Sequence, residues 1–500
     1  MAIVPFQQSF SKEIPYGILG NSEYLMEVEI LRTISEFLIE SGAEDSVVQH
    51  CLLTSETEAA ANGEVLSYKQ RVAIQERAIQ ALRTTILRKH LNVSYRHLAR
   101  DLALAPLYQW FCRINRLLEV QVPGKSKLQA AECSLPEDLI RQLHETILKR
   151  AFEGAEALGI EAPLDLSECY FDTFCLQTNI HYPVDWVLLR DASRTLMLAV
   201  QRIRKHGIVN RMAQDCQQFV TKMNRLCIEM THSARRRHGG DKARKRCFRE
   251  MKTLMKRTEQ HARRHLEKLE EQWPDSDFSE SEVRQITAQI ENVLEQLPEA
   301  IRQGHERIIG GRKVGNEEKI LSLYEDGVNV ITRHKAGAEV EFGNKVSLME
   351  QKQGLIVDWD LAKDGAPGDH RLCRESYDRT RASFGKIGSL ATDRGCSSMR
   401  NSSHLENHGT YDATCPKSVT ELSLRMQEEE FRAFQKRRGS TEARISILKK
   451  FTGDRLTCKG YEHRRQQFGL CVITHNLWLL SRLIIAGRAA PEECELQDAG

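Results

Sequence analysis

The chain lacks the cysteine spacing and the long apolar runs that would place it in several large classes of protein. Its 14 cysteines contain no Cys-x-x-Cys pair, which argues against a structural zinc site and a disulfide scaffold and favours a reducing cytoplasm. The 12 prolines and 30 glycines exclude a collagen-like chain. No run of about 18 apolar residues is present, so we expect no transmembrane helix and no membrane partner. The first residues have no basic segment followed by a long apolar one, and we expect no secretory signal.

A large excess of charge of one sign is also absent. The chain has 72 basic and 69 acidic residues, a net charge of +3, which by itself predicts no polyanionic partner. Apolar residues make up 41% and charged residues 28%, so the composition excludes general disorder. At about 100–200 residues per domain, 500 residues predict two to four domains.

The first 165 residues show apolar residues at three- and four-residue spacing, which predicts a helical N-terminal domain over 1–165. Within it, a helix ending near Leu91, a turn, and a second helix with Ser94 as N-cap form a candidate helix-turn-helix over 84–105. Tyr95, Arg96 and Arg100 would then face DNA. The alternative is an ordinary helical hairpin.

Strand-forming residues interrupt the helical pattern at 166–180, and helix returns over 186–309. Three strands forming an antiparallel meander are predicted next, followed by a helix, a short strand and two further helical segments (320–333, 338–350, 355–361, 369–384, 388–392, 424–450 and 468–485). The pattern divides the chain after the N-terminal domain into a first strand, a basic helical insertion, the rest of the core and a loose tail (166–184, 185–312, 313–485 and 486–500).

Three carboxylates stand out against this pattern. Asp172 lies inside an apolar strand, Asp393 follows a short strand, and Glu442 lies on a late helix. An aspartate within a strand is costly unless it binds a cation, and three carboxylates from two neighbouring strands and a helix would suit two Mg²⁺ ions. The alternatives are a satisfied strand-edge aspartate at position 172 and a plain turn at position 393.

The Glu442 segment also carries cations. Arg438 precedes Glu442 by four residues and Lys449 follows it by seven, so one continuous helix would place all three on one face. Such cations would hold phosphates beside a metal-binding carboxylate. The alternative is a solvated helix face with surface salt bridges.

Several segments resemble bacterial insertion-sequence transposases of the DDE type, in the order in which that family has them. They lie at 94–114, 124–129, 172–186, 319–325, 335–344, 393–398, 437–445 and 474–478. The resemblance implies an α+β, multi-domain chain, with a helical N-terminal domain and a ribonuclease-H-like mixed sheet that carries a long helical insertion after its first strand. Related transposases have a tyrosine three residues before the position of Arg438, where this chain has Gln435.

The resemblance also implies an activity and a metal site. Asp172 would bridge two Mg²⁺ ions, for which Mn²⁺ would substitute, Asp393 would bind one ion and Glu442 the other, while Arg438 and Lys449 would contact phosphates. Water would cut the ends of the element, and the freed 3′ hydroxyl would attack target DNA with no covalent enzyme intermediate. The implied partners are double-stranded DNA, as terminal repeats and as target, and further copies of the chain on that DNA, in the bacterial cytoplasm at the nucleoid. Four further acids lie close enough in sequence to be additional candidates for the site, with surface or turn roles as the alternative: Asp185, Asp358, Asp360 and Asp369.

The insertion contains a basic stretch. Between Arg235 and Arg264 there are 13 lysines and arginines and only 3 acids, a net charge of +10. The stretch predicts DNA contact through Arg244, Lys245, Arg246 and Arg249, with Phe248, Met251 and Met255 as an apolar stripe. The alternative is solvated surface. Trp186 and Trp273 are candidates for stacking on an extruded base, with core packing as their alternative.

Two other functions fit the same residues. A metal-dependent nuclease on this fold would cut DNA without joining it, and a catalytically inert regulator derived from a transposase would only bind DNA. Inverted repeats flanking the reading frame would favour the transposase.

Overall fold

The computed structural model describes residues 20–115, 119–160, 163–236, 238–335, 338–453 and 455–497. Their fold is a mixed α+β architecture, with helices in the majority and one mixed sheet of seven strands. Gly337, the expected turn of the first hairpin, lies outside the described residues.

Seven helices precede the first strand, as the apolar spacing predicts. They are α1 Ser22–Glu40, α2 Ala43–Ala61, α3 Tyr68–Leu91, α4 Tyr95–Leu104, α5 Pro106–Phe111, α6 Lys125–Cys133 and α7 Glu137–Gly154. Strand β1, Glu168–Thr178, follows, and four helices then form the insertion: α8 Asp185–Lys205, α9 Cys216–Ala234, α10 Gly240–Gln272 and α11 Glu280–Gly304.

The second half of the chain completes the sheet. It contains β2 Asn329–Lys335, β3 Ala338–Gln351, β4 Ile356–Leu361, α12 Asp369–Phe384, β5 Ser389–Ala391, α13 Met399–Asn407, β6 Tyr411–Asp412, α14 Val419–Arg425, α15 Glu429–Arg438, α16 Thr441–Thr452, β7 Arg455–Leu456 and α17 Tyr461–Gln497. The expected meander is present, since β3 pairs antiparallel with both β2 and β4. The first of its strands begins only at Asn329, because 320–323 packs against the insertion, where Leu323 is buried. Strands β6 and β7 were not predicted.

Strand β1 is central in the sheet. It pairs antiparallel with β3 along most of its length, with Asp172 opposite Leu348, and parallel with β5, with Tyr170 opposite Ala391. Strand β6 extends the parallel part beyond β5. The sheet therefore changes from antiparallel to parallel pairing at β1, the strand that carries Asp172.

The N-terminal helices share one hydrophobic core with the sheet. A single cluster of buried side chains runs from Val28 in α1 through Phe171 in β1 to Ile484 in α17. A buried polar network joins the same elements, because Arg88 of α3 donates to Glu132 of α6 (2.6 Å) and to Gln467 of α17 (2.9 Å). The expected boundary near residue 165 therefore does not separate two cores.

The insertion has its own core. Helices α8 to α11 bury a second cluster that includes Leu196, Phe219 and Ile290. The predicted stripe Phe248, Met251 and Met255 of α10 is fully buried there. Trp186 and Trp273 pack against this cluster, and the Trp186 indole nitrogen lies 3.4 Å from Thr231 Oγ1.

One described helix bears on the expected absence of a membrane span. The part of α17 over 461–488 is long and apolar enough to cross a bilayer, with a mean hydropathy of 1.6 in its most apolar window. That window is 78% buried inside the protein, the environment of a core helix. The helical backbone of α17 continues to Gln497, past the expected start of a loose tail at 486. The described cysteine side chains are free thiols.

Candidate active site

Asp172 and Asp393 lie side by side at the sheet. Parallel pairing of β1 with β5 ends at Tyr170 and Ala391. Asp172 comes two residues after Tyr170, and Asp393 comes two residues after Ala391. Side chains two residues apart on a strand share a face, so Asp172 follows the face of Tyr170. Asp393 caps a short 3₁₀ turn and accepts a hydrogen bond from Gly395 N at 2.9 Å. The two neighbouring strands thus place the two predicted carboxylates at one level.

Asp172 is partly buried and has little to neutralise its charge. Burial is the main cause that raises the pKa of the Asp172 carboxyl to about 6, and the charges of Asp393 and Asp369 act in the same direction. A hydrogen bond from Thr173 N at 2.7 Å and the Arg438 guanidinium act in the opposite direction. Among the described residues, no ion pair is formed by Asp172 or by Asp393. A partly buried carboxylate beside a second one is an environment that a bound cation would stabilise.

Asp369, one of the four additional candidates, is the third carboxylate at this place. It begins α12, where its Oδ1 accepts from Thr173 Oγ1 at 2.6 Å and pairs with Lys345 Nζ at 2.8 Å. Its other oxygen points toward the Asp393 turn. A Cβ placed on Gly395 would lie 2.6 Å from Asp369 Oδ2 and 3.2 Å from Asp393 Oδ1. The glycine therefore lets the two carboxylates approach each other.

Glu442 occupies a different position from the one that its sequence spacing predicts. Helix α15 ends at Arg438 and α16 begins at Thr441, so Arg438, Glu442 and Lys449 are not on one continuous helix. Gly439 and Ser440 cause the break, since glycine and serine favour helix ends over helix interiors. Glu442 is exposed in the first turn of α16, and it is not among the charges that act most strongly on Asp172. Lys449 is exposed in the last turn of the same helix.

Gln435 holds Arg438 at the site. Its side-chain amide donates to Ala413 O at 2.6 Å, and its amide oxygen accepts from Arg438 Nε at 3.1 Å. Helix α15 is thereby tied to the segment that follows β6. The glutamine gives a positioning hydrogen bond to Arg438, a cation that acts on Asp172.

The other three additional candidates have structural partners. Asp185 pairs with Arg307 at 2.9 Å, and Asp358 pairs with Arg379 at 2.7 Å. Asp360 accepts from Arg465 at 3.0 Å. These three carboxylates are neutralised within the fold. Asp185 and Asp358 are buried, at the start of a helix and in a strand, and so do not have the expected surface or turn roles.

The residues present suit Mg²⁺, although the described part of the chain has no group of three histidine, cysteine or acidic side chains already arranged around a metal position. Asp172 and Asp393 offer carboxylate oxygens, the ligands that Mg²⁺ prefers, and neither is neutralised by an ion pair with a described residue. Asp369 lies beside them as a candidate third ligand, whereas Glu442 is the third ligand that the sequence predicts. The sequence pattern predicts Asp369 only as a further candidate, with a surface or turn role as the alternative.

The candidate helix-turn-helix has the predicted turn and cap. Asn92 ends α3 in the left-handed conformation, and Ser94 Oγ accepts from His97 N at 3.3 Å. Arg96 and Arg100 are exposed on α4, whose Leu98 and Leu102 are buried. Tyr95 does not face outward with them, because its ring stacks under the Arg88 guanidinium at 4.4 Å.

Most of the basic stretch, from Lys242 to Arg264, lies on α10, opposite its buried stripe. Arg244 pairs with Asp241, and Arg246 pairs with Glu229 at 2.9 Å. Arg249 is exposed and its side chain forms no ion pair or hydrogen bond with a described residue, and Lys245 is half-buried. The predicted cations therefore differ in how far they are already neutralised.

Comparison with family models, with curated proteins and with solved structures finds no match to this chain.

Proposed function

We propose that the chain is a DNA transposase of the DDE type, with a ribonuclease-H-like core, that cuts element ends and joins them to target DNA by Mg²⁺-dependent phosphoryl transfer. The observation that carries this proposal is the placement of Asp172 and Asp393 at one level on two neighbouring parallel strands. The family resemblance assigns the metal to those same two positions. The proposal includes self-association on DNA and a place in the bacterial cytoplasm at the nucleoid.

The chemistry that bound Mg²⁺ supplies is activation of the attacking oxygen and stabilisation of the leaving one. Asp172 and Asp393 would hold it, with Glu442 or Asp369 as the third carboxylate. Arg438 reduces the repulsion between the carboxylates, and it is positioned by Gln435 to face a phosphate. Lys345 partly compensates the charge of Asp369, which limits the repulsion that this third carboxylate adds to the pair.

A labelled-DNA assay tests the proposal. The substrate is a duplex made from the DNA that flanks the reading frame, with a supercoiled plasmid as target and Mg²⁺ or Mn²⁺ as the metal. A transposase frees a 3′ hydroxyl at the end and joins the labelled strand to the plasmid. Cutting without joining would replace the proposal with a nuclease, and binding without cutting would replace it with a regulator.

A further inference from the structure

A cleft between α9 and α10 of the insertion has three cations among its six lining residues. It encloses about 240 Å³ and is bordered by Lys222, Arg249, Glu250, Thr253, Leu254 and Arg257. Lys222 comes from α9 and lies outside the basic stretch, so the sequence pattern alone did not single it out. Two helices thus contribute three cations to one small depression at the protein surface.

Two of these cations have no counter-charge inside the protein. The side chains of Lys222 and Arg249 are exposed and form no ion pair or hydrogen bond with the described residues. Arg257 is held in place by the Phe219 ring, whose centroid lies 5.3 Å from its guanidinium carbon. Glu250 is the one acid among the lining residues. It pairs with Arg246, which is not part of the lining, at a distance of 3.9 Å. Three cations against one acid leave the cleft ready to bind an anion.

The cleft lies along a longer cationic face. Lys242, Arg249 and Lys256 follow each other at seven-residue intervals on α10, which places them on one side of the helix about 10 Å apart. All three are exposed and make no ion pair with a described residue. The whole chain carries +3 and the stretch from Arg235 to Arg264 carries +10, so the remaining residues sum to −7. The positive charge is concentrated at this one place.

The apolar surface needed for membrane insertion is absent from this helix. None of the large exposed apolar side chains belongs to α10, which is described along its whole length. Membrane-surface helices combine a basic face with an apolar one that enters the bilayer. The apolar face of α10 is buried in the core of the insertion instead. An extended anion that needs only charge, such as the phosphate backbone of DNA, fits this face better.

We propose that the cleft formed by Lys222, Arg249 and Arg257 binds a backbone phosphate of duplex DNA, with Lys242 and Lys256 contacting phosphates on either side. The choice of DNA rests on the proposed function, but the site itself rests on the cleft and its charges. Because phosphate contacts carry no base information, binding at the cleft is independent of sequence.

The test compares the full-length chain with its Lys222→Gln/Arg249→Gln variant on a random-sequence duplex over a range of salt concentrations. Loss of one phosphate contact lowers the log–log salt slope by about 0.9 and weakens binding about eightfold at 0.1 M salt. Arg284→Gln is the matched control, because Arg284 is an exposed arginine of the same insertion that is paired with Glu280. It should leave the slope unchanged, and all three proteins should melt alike.

An unchanged slope in the double variant would overturn the inference. A loss of binding to phosphatidylglycerol vesicles without any loss on DNA would also overturn it, in favour of a membrane surface. The proposed function is tested separately. If the double variant shows the expected slope change but the wild-type chain neither cuts nor joins its own ends, phosphate binding at the cleft is supported and the transposase function is contradicted.

Discussion

Asp369 and Asp393 approach each other across Gly395, where an added Cβ would lie 2.6 Å from Asp369 Oδ2 and 3.2 Å from Asp393 Oδ1. Gly395→Ala should therefore push the carboxylates apart and reduce the thermal stabilisation that Mg²⁺ gives to the wild-type protein. Melting temperature with and without Mg²⁺ measures this. Gly315→Ala is the control, because the nearest atoms to its Cβ lie 3.9 Å away. Equal stabilisation by Mg²⁺ in Gly395→Ala and the wild type would contradict the prediction.

Asp172→Asn should stabilise the apo protein at high pH and not at low pH. The folded-state pKa of Asp172, about 6, is above its ordinary value of 3.8 because of burial and the neighbouring carboxylates. The folded state therefore binds this proton more tightly, and wild-type stability falls as the pH rises through the window from about 4 to 6. Since each pKa unit corresponds to about 1.4 kcal/mol, the ionised carboxylate costs about 3 kcal/mol at pH 8.

Urea unfolding of the wild type and Asp172→Asn at pH 4 and pH 8, without divalent metal, measures this difference. The gain in the free energy of unfolding should appear only at pH 8. Asp364→Asn removes an exposed aspartate and should change little at either pH. A gain of the same size at both pH values would show that the Asp172 carboxylate is not destabilised by its charge.

The candidate recognition helix α4 should confer sequence specificity. Arg96→Ala/Arg100→Ala should weaken binding to the element's own ends by about tenfold or more, since a good base contact contributes about 1–3 kcal/mol. Arg96 should contribute more, because Arg100 is already paired with Asp101 at 3.1 Å. Competition with random duplex DNA measures the specificity, and Lys149→Ala, paired with Glu145 on α7, is the control. Equal losses of affinity for both DNAs would show that α3 and α4 form an ordinary helical hairpin or contact only the DNA backbone.

The basic stretch as a whole should determine the salt dependence of DNA binding. Replacing Arg244, Lys245, Arg246 and Arg249 with glutamine should flatten the log–log salt slope by about two to four. The lower value is expected because Arg244 and Arg246 are partly neutralised by acids. Stability should change little, because exposed charges rarely contribute more than about 1 kcal/mol each. Affinity against salt concentration, with thermal melting, checks both. An unchanged salt slope with an unchanged melting temperature would mean that these cations do not contact DNA.

Local signals in the sequence predicted much of the fold. The predicted helix over 369–384 matches α12 residue for residue, and the cap at Ser94 is present. Asp172 lies within a strand and Asp393 follows one, as predicted. Strand-forming and turn-forming residues determine the backbone over only a few neighbouring positions, so a short segment of sequence is enough to predict both.

The missed features depend on packing between distant parts of the chain. Nothing near Asp369 in sequence indicates that α12 places it beside Asp393, and the charged run around Arg438 conceals the break before Thr441. The N-terminal helices join the core through contacts such as Arg88 with Gln467, 379 residues apart. Periodicity within one segment contains no information about such pairings.

The central claim is that the paired carboxylates hold the metal for cutting and joining DNA. The most direct measurement is Mg²⁺-dependent release and joining of a labelled 3′ end by Asp172→Ala, Asp393→Ala and Glu442→Ala, with end binding measured in parallel. Each variant should lose about a thousandfold or more in cleavage, because metal ions supply several kcal/mol of transition-state stabilisation, while end binding should persist. Asp364→Ala should retain full activity. Wild-type cleavage by Asp172→Ala or Asp393→Ala would contradict the claim, and wild-type cleavage by Glu442→Ala would remove that residue from the site.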